Sequence, residues 1–167
     1  MTGPTVTHIY ARLKVPAAAV FLLVLVGCAP APAPTVPPEA ARAPTGGAVQ
    51  MTDAVNEIRQ SQGLQTLRSV ALLDAAARAH ASDMRARGYF DHIAPDGSDP
   101  GDRISAQGYE WCRFGENIAQ GQPDAAEALA DWMASPGHRR NILSPRFTEF
   151  GFARSGDYWV QVFAAPC

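Results

Sequence analysis

Ser135-Pro136-Gly137-His138-Arg139-Arg140-Asn141-Ile142-Leu143, read together with Gly115-Glu116-Asn117-Ile118-Ala119 upstream, decides how this chain is understood. In the first segment a serine stands where a helix N-cap belongs. A proline follows at the first helical position, where a missing N–H costs nothing. His138 then sits beside the positive end of the helix, which disfavours protonation of its ring. The second segment is apolar except for Glu116 and Asn117 and reads as a strand. With Phe90-Asp91-His92, the segments offer two imidazoles and one carboxylate to a shared cleft. His92, Glu116 and His138 are therefore the candidate site residues.

The remaining elements fall into place around these segments. Pro123 opens a helix over Asp124–Ala134, whose apolar surface comes from Ala125, Leu129, Trp132 and Met133. Ser144-Pro145 closes the short helix that begins at Pro136, because a residue before proline resists helical geometry. Thr148–Arg154 and Tyr158–Ala164 flank Ser155-Gly156-Asp157 and read as a β-hairpin. Upstream, Leu72–Arg87 is an alanine-rich helix ended by Gly88, with Leu73, Ala76, Ala77, His80 and Met84 along one stripe. His80 on that stripe reads as a packed core histidine rather than a ligand. An earlier helix runs from Asp53 to Gln62, with Thr52 as N-cap, Gly63 as stop, and Met51, Val55 and Ile58 on its inner face. A short one spans Asp102–Gln107. The aspartates of the turn-rich stretch 94–101 do not have the spacing of a calcium loop and are assigned to solvent. Helices first and a hairpin last imply an α+β domain built on a small antiparallel sheet.

The N-terminal third is of a different kind. Arg12 and Lys14 precede an apolar run, Ala17–Val26, and then Leu25-Val26-Gly27-Cys28 follows. The run is too short for a bilayer span, which needs about 20 residues, so 1–27 reads as an export signal. Its ending resembles a bacterial lipoprotein signal in which Cys28 carries the lipid; an ordinary signal with a chance cysteine is the alternative. Residues 28–47 then form a Pro-rich tether with six prolines, suited to polyproline II geometry. Ala29 rather than an acidic residue follows the cysteine, which fits the outer membrane of a two-membrane cell. The expected location is the cell envelope, with the membrane as one partner through the lipid. Without residues 1–27 the chain holds 12 basic and 16 acidic residues, a formal charge of −4, which speaks against a nucleic-acid partner. With Cys28 set aside, Cys112 and Cys167 remain as a disulfide pair for an oxidising compartment; two free thiols are the alternative.

The order and spacing of the motifs resemble the CAP superfamily, or SCP domain: cysteine-rich secretory proteins, venom antigens and pathogenesis-related proteins, with many exported bacterial members. The carriers are Asn56-x-x-Arg59 with Gly63-Leu64, Ala79-His80 through Met84, Phe90-x-His92, Gly115-Glu116-Asn117-Ile118-Ala119, Trp132-x-x-Ser135-Pro136-Gly137-His138, Phe150-Gly151-Phe152 and Tyr158–Phe163. The resemblance implies a three-layer α-β-α sandwich over 48–167 and a cleft of two histidines and two acids. His92 and His138 match the histidines and Glu116 matches one acid. The second acid has no counterpart in Met133-Ala134-Ser135, and Asp131 is not promoted to its place.

Two converging imidazoles can bind zinc, so His92 and His138 are the tentative metal ligands, with Glu116 as a general base toward metal-bound water. A hydrogen-bonded pair of histidines fixing the loops over Glu116 is the competing picture. No nucleophile constellation is present, and the Ser135 hydroxyl is assigned to the cap. The function expected is a lipid-anchored recognition module of the envelope without turnover, binding an envelope protein, wall material or lipid. A divalent-metal-dependent hydrolase of peptides or cell-wall material is one alternative. A carrier of a lipid or sterol-like ligand is the other, and the resemblance suggests it.

Overall fold

The structure is a computed structural model, and it describes residues 46–167. The stretch read as an export signal, Cys28 and nearly all of the stretch read as a tether therefore lie outside the described residues. The elements are α1 (Gly46–Ser61), β1 (Arg68–Ser69), α2 (Ala71–Arg87), α3 (Pro100–Ala106), β2 (Arg113–Gln120), α4 (Ala125–Ala134), α5 (Pro136–Ile142), β3 (Glu149–Ser155) and β4 (Tyr158–Ala165). One four-stranded sheet in the order β1-β3-β4-β2 forms the middle layer. The sheet is mixed, not wholly antiparallel as expected, because β1 pairs in parallel with β3 over Arg68↔Glu149 and Ser69↔Phe150.

Side chains alternate across the sheet, and each face has its own core. Val160, Val162 and Ala164 of β4, with Ile118 of β2 and Ala153 of β3, pack beneath Leu73, Ala76, Ala77, Ala81 and Met84 of α2. Trp159 and Phe163 of β4, with Phe150 and Phe152 of β3, meet α1, α4 and α5 through Met51, Val55, Leu129, Trp132 and Ile142. That is the three-layer α-β-α arrangement. The stripe read on the second helix is its buried face, His80 included, and Gly88 closes α2 in left-handed geometry at φ 69°.

Three local readings need correction. The first helix starts at Gly46, well before Asp53, and two tether residues are its first turn. Ala48 and Met51 are buried against the core, so packing extends the helix through a Gly-Gly pair that reads as linker. Thr52 is thus interior to α1, its hydroxyl donating to the Ala48 carbonyl at 2.7 Å. Pro123 precedes the fourth helix without opening it, and Asp124 caps it by accepting from the Glu127 amide at 2.9 Å. Ser135 does stand at the N-cap of α5, but its side chain makes no cap bond. It ends α4 as well, its amide donating to the Asp131 carbonyl. With Pro136 next, the turn between the two helices is set by backbone alone.

Buried polar groups fasten the layers. Arg59, almost fully buried, donates to the carbonyls of Ile142 (2.8 Å), Ser144 (2.9 Å) and Gln65 (2.8 Å), satisfying the C-terminal end of α5 from α1. Asp74 on α2 accepts the Phe152 amide at 2.8 Å, taking the place of a strand where β1 has ended. Glu149 is taken by Arg68 and the Tyr109 hydroxyl, leaving Arg139 and Arg140 on an exposed face. Cys112 and Cys167 are bonded, with Cα atoms 4.8 Å apart, tying the entry of β2 to the exit of β4. A bridge closing a loop of this size contributes about 2–4 kcal/mol.

Candidate functional site

Neighbouring residues on β2 point to opposite faces of the sheet, and the site is built on that alternation. Glu116 faces α2 and α3; Asn117 faces α5. The carboxylate of Glu116 is buried, with its side chain 2% exposed. Arg103 of α3 donates through Nη2 to both of its oxygens, at 3.0 and 3.2 Å. The same nitrogen reaches the His92 carbonyl at 2.8 Å, and Nη1 reaches the Ser98 carbonyl at 3.1 Å. One guanidinium therefore holds the acid and the 92–98 loop together.

His92 closes over the acid from outside, Nδ1 lying 2.8 Å from Oε1. An ionised carboxylate only accepts, so Nδ1 carries the hydrogen and Nε2 is left facing outward. That hydrogen bond is the chief cause raising the imidazole above its ordinary pKa, with burial opposing. His80 lies on the inner side, fully buried, with Nε2 3.6 Å from the same Oε1 and no hydrogen-bond partner. Burial is the main cause lowering its pKa, with the charge of Glu116 opposing. The core position read for His80 is observed, yet it is not a satisfied histidine remote from the site. It forms the floor under Glu116.

His138 is placed differently. Asn117 Nδ2 donates to its carbonyl at 3.2 Å and to Gln161 Oε1 at 2.9 Å. Asn141 Nδ2 in turn donates to the Glu116 carbonyl at 3.1 Å and to Asn117 Oδ1 at 2.9 Å. This amide network seats α5 on the edge of β2 and brings the half-buried His138 toward the cleft. Among the described residues no hydrogen bond or ion pair joins its ring to Glu116 or His92. Its pKa is lowered, first by burial and then by the charge of His92. The direction agrees with the reading from the helix entry; the cause does not.

The structure thus makes a direct pair of His92 and Glu116 and holds His138 by its backbone. It adds two residues the sequence reading did not place: Arg103, lost among the charges of a short helix, and His80 in its floor role. Asp131 is bonded by Gln122 Nε2 at 2.9 Å and takes no part. Beside the tentative ligands His92 and His138, Glu116 is a hydrogen-bond partner and not a free further ligand. Both Glu116 oxygens already accept from Arg103, one also faces His92, and among the described residues no trio of His, Cys, Asp or Glu is placed to hold an ion.

A second feature lies across the sheet. Gly47, Met51 and Ala54 of α1, Ala125 and Leu129 of α4, and Phe152 and Trp159 of the sheet line an open apolar groove of about 540 Å³. Arg154 lies over the Trp159 ring at 4.1 Å, and the groove wall includes both.

An α-β-α sandwich carrying a histidine–glutamate cleft at the edge of its sheet defines a class of protein, and the comparisons agree with it. The model of the cysteine-rich secretory protein family, CAP, matches residues 52–163, and the chain belongs to that family. It is 40% identical over 116 residues to the protein YkwD of Bacillus subtilis (strain 168), covering 68% of this chain and 45% of that one. It is 31% identical over 114 residues to the B. subtilis membrane protein YlbC, covering 68% and 33%. Among solved structures, an extracellular SCP-domain protein of Bacillus anthracis str. Ames superposes with a TM-score of 0.69 at 33% identity, covering 71% of this chain and 40% of that one. An outer surface protein of Borrelia burgdorferi shares the fold, with a TM-score of 0.68 at 19% identity, covering 75% and 98%. The chain thus spans less than half the length of both curated B. subtilis relatives.

Proposed function

We propose that this chain is an exported, lipid-anchored CAP-domain protein of the bacterial envelope that recognises a partner through the His92–Glu116–His138 cleft without turning it over. The observation that carries the reading is the engagement of Glu116. A general base must be within reach of the proton it takes, and this carboxylate is buried, accepting from Arg103 at both oxygens and from His92 at Oε1. Among the described residues no serine or cysteine nucleophile is bonded to it: Cys112 and Cys167 are bonded to each other, and Ser135 lies in a helix junction. Export is supported by the signal-like N-terminus and by the B. anthracis relative, which is an extracellular protein. The proposed anchor is a lipid on Cys28; among the described residues no helix is long and apolar enough to cross a membrane.

The test pairs an activity assay with an intact mass. Full-length protein purified from envelopes should carry acyl chains on Cys28 and release no product from wall peptides or muropeptides. Turnover that disappears in His92→Ala would overturn the binding-only reading; an unmodified Cys28 would overturn the anchor. The apolar groove favours a second reading, carriage of a lipid-like ligand. Solvent extraction of the native protein should then release lipid, and Ala54→Trp, which fills the groove, should abolish that release.

A further inference from the structure

We propose that Trp111, Arg113, Phe114, Arg146 and Phe147 form a second binding pocket, on the free edge of the sheet, that takes an anionic sugar residue. The inference goes beyond the recognition role of the cleft and does not depend on it. The pocket shares no lining residue with the groove between α1 and α4, and His92, Glu116 and His138 are not among its walls.

Shape and rigidity come first. β2 is the outermost strand on its side of the sheet. The pocket, about 220 Å³, wraps around that edge, so residues pointing to both faces line it together with Arg146 and Phe147. Its aromatic walls are fixed. Trp111 Nε1 donates to the Gly101 carbonyl at 3.2 Å and to Ser105 Oγ at 3.0 Å. Phe114 meets the indole edge-on, with ring centroids 4.6 Å apart. A Cβ at Gly101 would come within 2.8 Å of the Trp111 ring and 2.9 Å of the Phe114 ring, so both rest directly on the start of α3. Phe147 is stacked on Phe163, and Cys112 is held by its disulfide. An indole whose N–H is already spent offers a ligand only its ring, and the C–H face of a sugar packs on such a surface.

Charge and the strand edge define the ligand further. The chain has a formal charge of −2, yet no carboxylate side chain lines this pocket and two arginines do. Both are exposed, and among the described residues neither guanidinium has a hydrogen-bond or ion-pair partner. A free guanidinium fork matches a carboxylate or a phosphate. The backbone supplies the remaining polar groups. The Glu116 and Ile118 carbonyls point out from the edge of β2, where they accept from Asn141 and Trp132. Alternation puts the Phe114 backbone on the same outward side, and its partner Ala164 turns its carbonyl to the Thr148 amide instead. Among the described residues nothing bonds to the Phe114 N–H and C=O, so a donor and an acceptor stand ready for ring hydroxyls beside the two cations. Ring face, hydroxyl partners and paired cations together describe a sugar that carries an anion.

Four probes test this: glucuronate, glucose 6-phosphate, glucose and acetate. Each is titrated into the full-length protein and followed by tryptophan fluorescence and by indole N–H signals. Trp111 is half-exposed whereas Trp132 and Trp159 are buried, so its signals report on the pocket. At least one of the two anionic sugars should bind in the millimolar range, at least about fivefold more tightly than glucose or acetate. The tighter of the two identifies the anion as carboxylate or phosphate. Arg113→Gln and Arg146→Gln should each weaken that binding at least about fivefold, toward the level of glucose, while the ring signals of His92 stay unmoved by ligand. Trp111→Leu should abolish it. The proposal is overturned by no saturable binding of either anionic sugar, by equal binding of glucose or acetate, or by wild-type affinity in both arginine variants. It is overturned as well if the sugar moves the His92 signals and leaves Trp111 unchanged, which would place the ligand in the cleft. Should Trp111→Leu not fold, the two arginine variants, altered at exposed positions, still decide.

Discussion

The two faces of the sheet are built on opposite principles. On the α2 face small residues dominate: Ala76, Ala77 and Ala81 on the helix, Gly151 and Ala153 on β3. Helix and strand approach so closely that a Cβ at 151 would lie inside the radii of the Leu73 carbonyl carbon and the Asp74 nitrogen. On the other face aromatics fill the space: Phe147 and Phe163 stack at 5.7 Å, Phe150 and Phe163 meet at 5.2 Å, and Phe152 lies against Trp159 at 6.1 Å. The polar groups on the two faces differ in the same sense. The tight face holds a buried ion pair, Glu116 with Arg103, between His80 and His92. The aromatic face holds a neutral amide network of Asn117, Asn141 and Gln161. Around β2 the ion pair thus lies on the tight face and the amides on the aromatic one, where the buried charge, Arg59, is spent on the backbone carbonyls at the end of α5.

Breaking the ionic side should have the largest effect. Arg103→Met leaves Glu116 buried without its cation and should cost about 3–5 kcal/mol in urea denaturation. The double variant Arg103→Met, Glu116→Gln should recover a large part of that loss, because the buried charge is then gone as well. Additive losses would mean that the pair is not an energetic unit. Close behind comes the packing of the same face. Gly151→Ala should cost about 3 kcal/mol, since its new methyl meets helix backbone rather than a movable side-chain tip. A change below about 1 kcal/mol in a thermal melt would show that α2 can slide, and the contrast between tight and loose faces would fail.

The sequence shows some of this plainly and hides the rest for identifiable reasons. The α2 stripe, the 155–157 hairpin and the cysteine pair are legible because they rest on periodicity, turn chemistry and counting. His92 and Glu116 are legible as motif members, and they do meet. Arg103 is not, because its importance lies in partners 11 and 13 residues away across a loop whose path no local rule fixes. His80 shows its burial through spacing, but nothing along the helix reveals that the neighbour beyond its Nε2 is a carboxylate. The start of α1 misleads because Gly46 and Gly47 have linker propensity, and only contact with the core overrides it. The two-residue β1 is too short to carry any pattern of its own.

The amide side should respond less. Asn117→Ala strips the donors from Gln161 Oε1 and the His138 carbonyl, and the acceptor from Asn141, at a cost of about 1–3 kcal/mol. Hydrogen exchange should speed up first in α5, which this network seats. Uniform protection loss across both faces would instead mean that the network supports the whole core.

The smallest effect is also the most discriminating, because it separates two histidines on one carboxylate by sign. His92 has its pKa raised in the folded protein, chiefly by its hydrogen bond to Glu116. Its contribution to stability is complete below the ordinary histidine value of about 6.5 and fades as pH rises through the higher folded value. His80 has its pKa lowered, chiefly by burial, so the folded state binds fewer protons there than the unfolded one. Its neutral form sustains stability above about pH 6.5, and that stability falls away as pH drops through the lower folded value. The stability lost in His92→Gln should therefore grow as pH is lowered from about 8 to 6, and that lost in His80→Phe should shrink over the same range. Denaturation midpoints across this window read both slopes. Slopes of the same sign would mean that the inner and outer imidazoles share one environment, and that Arg103 and burial do not divide the cleft into a dry floor and a wet rim.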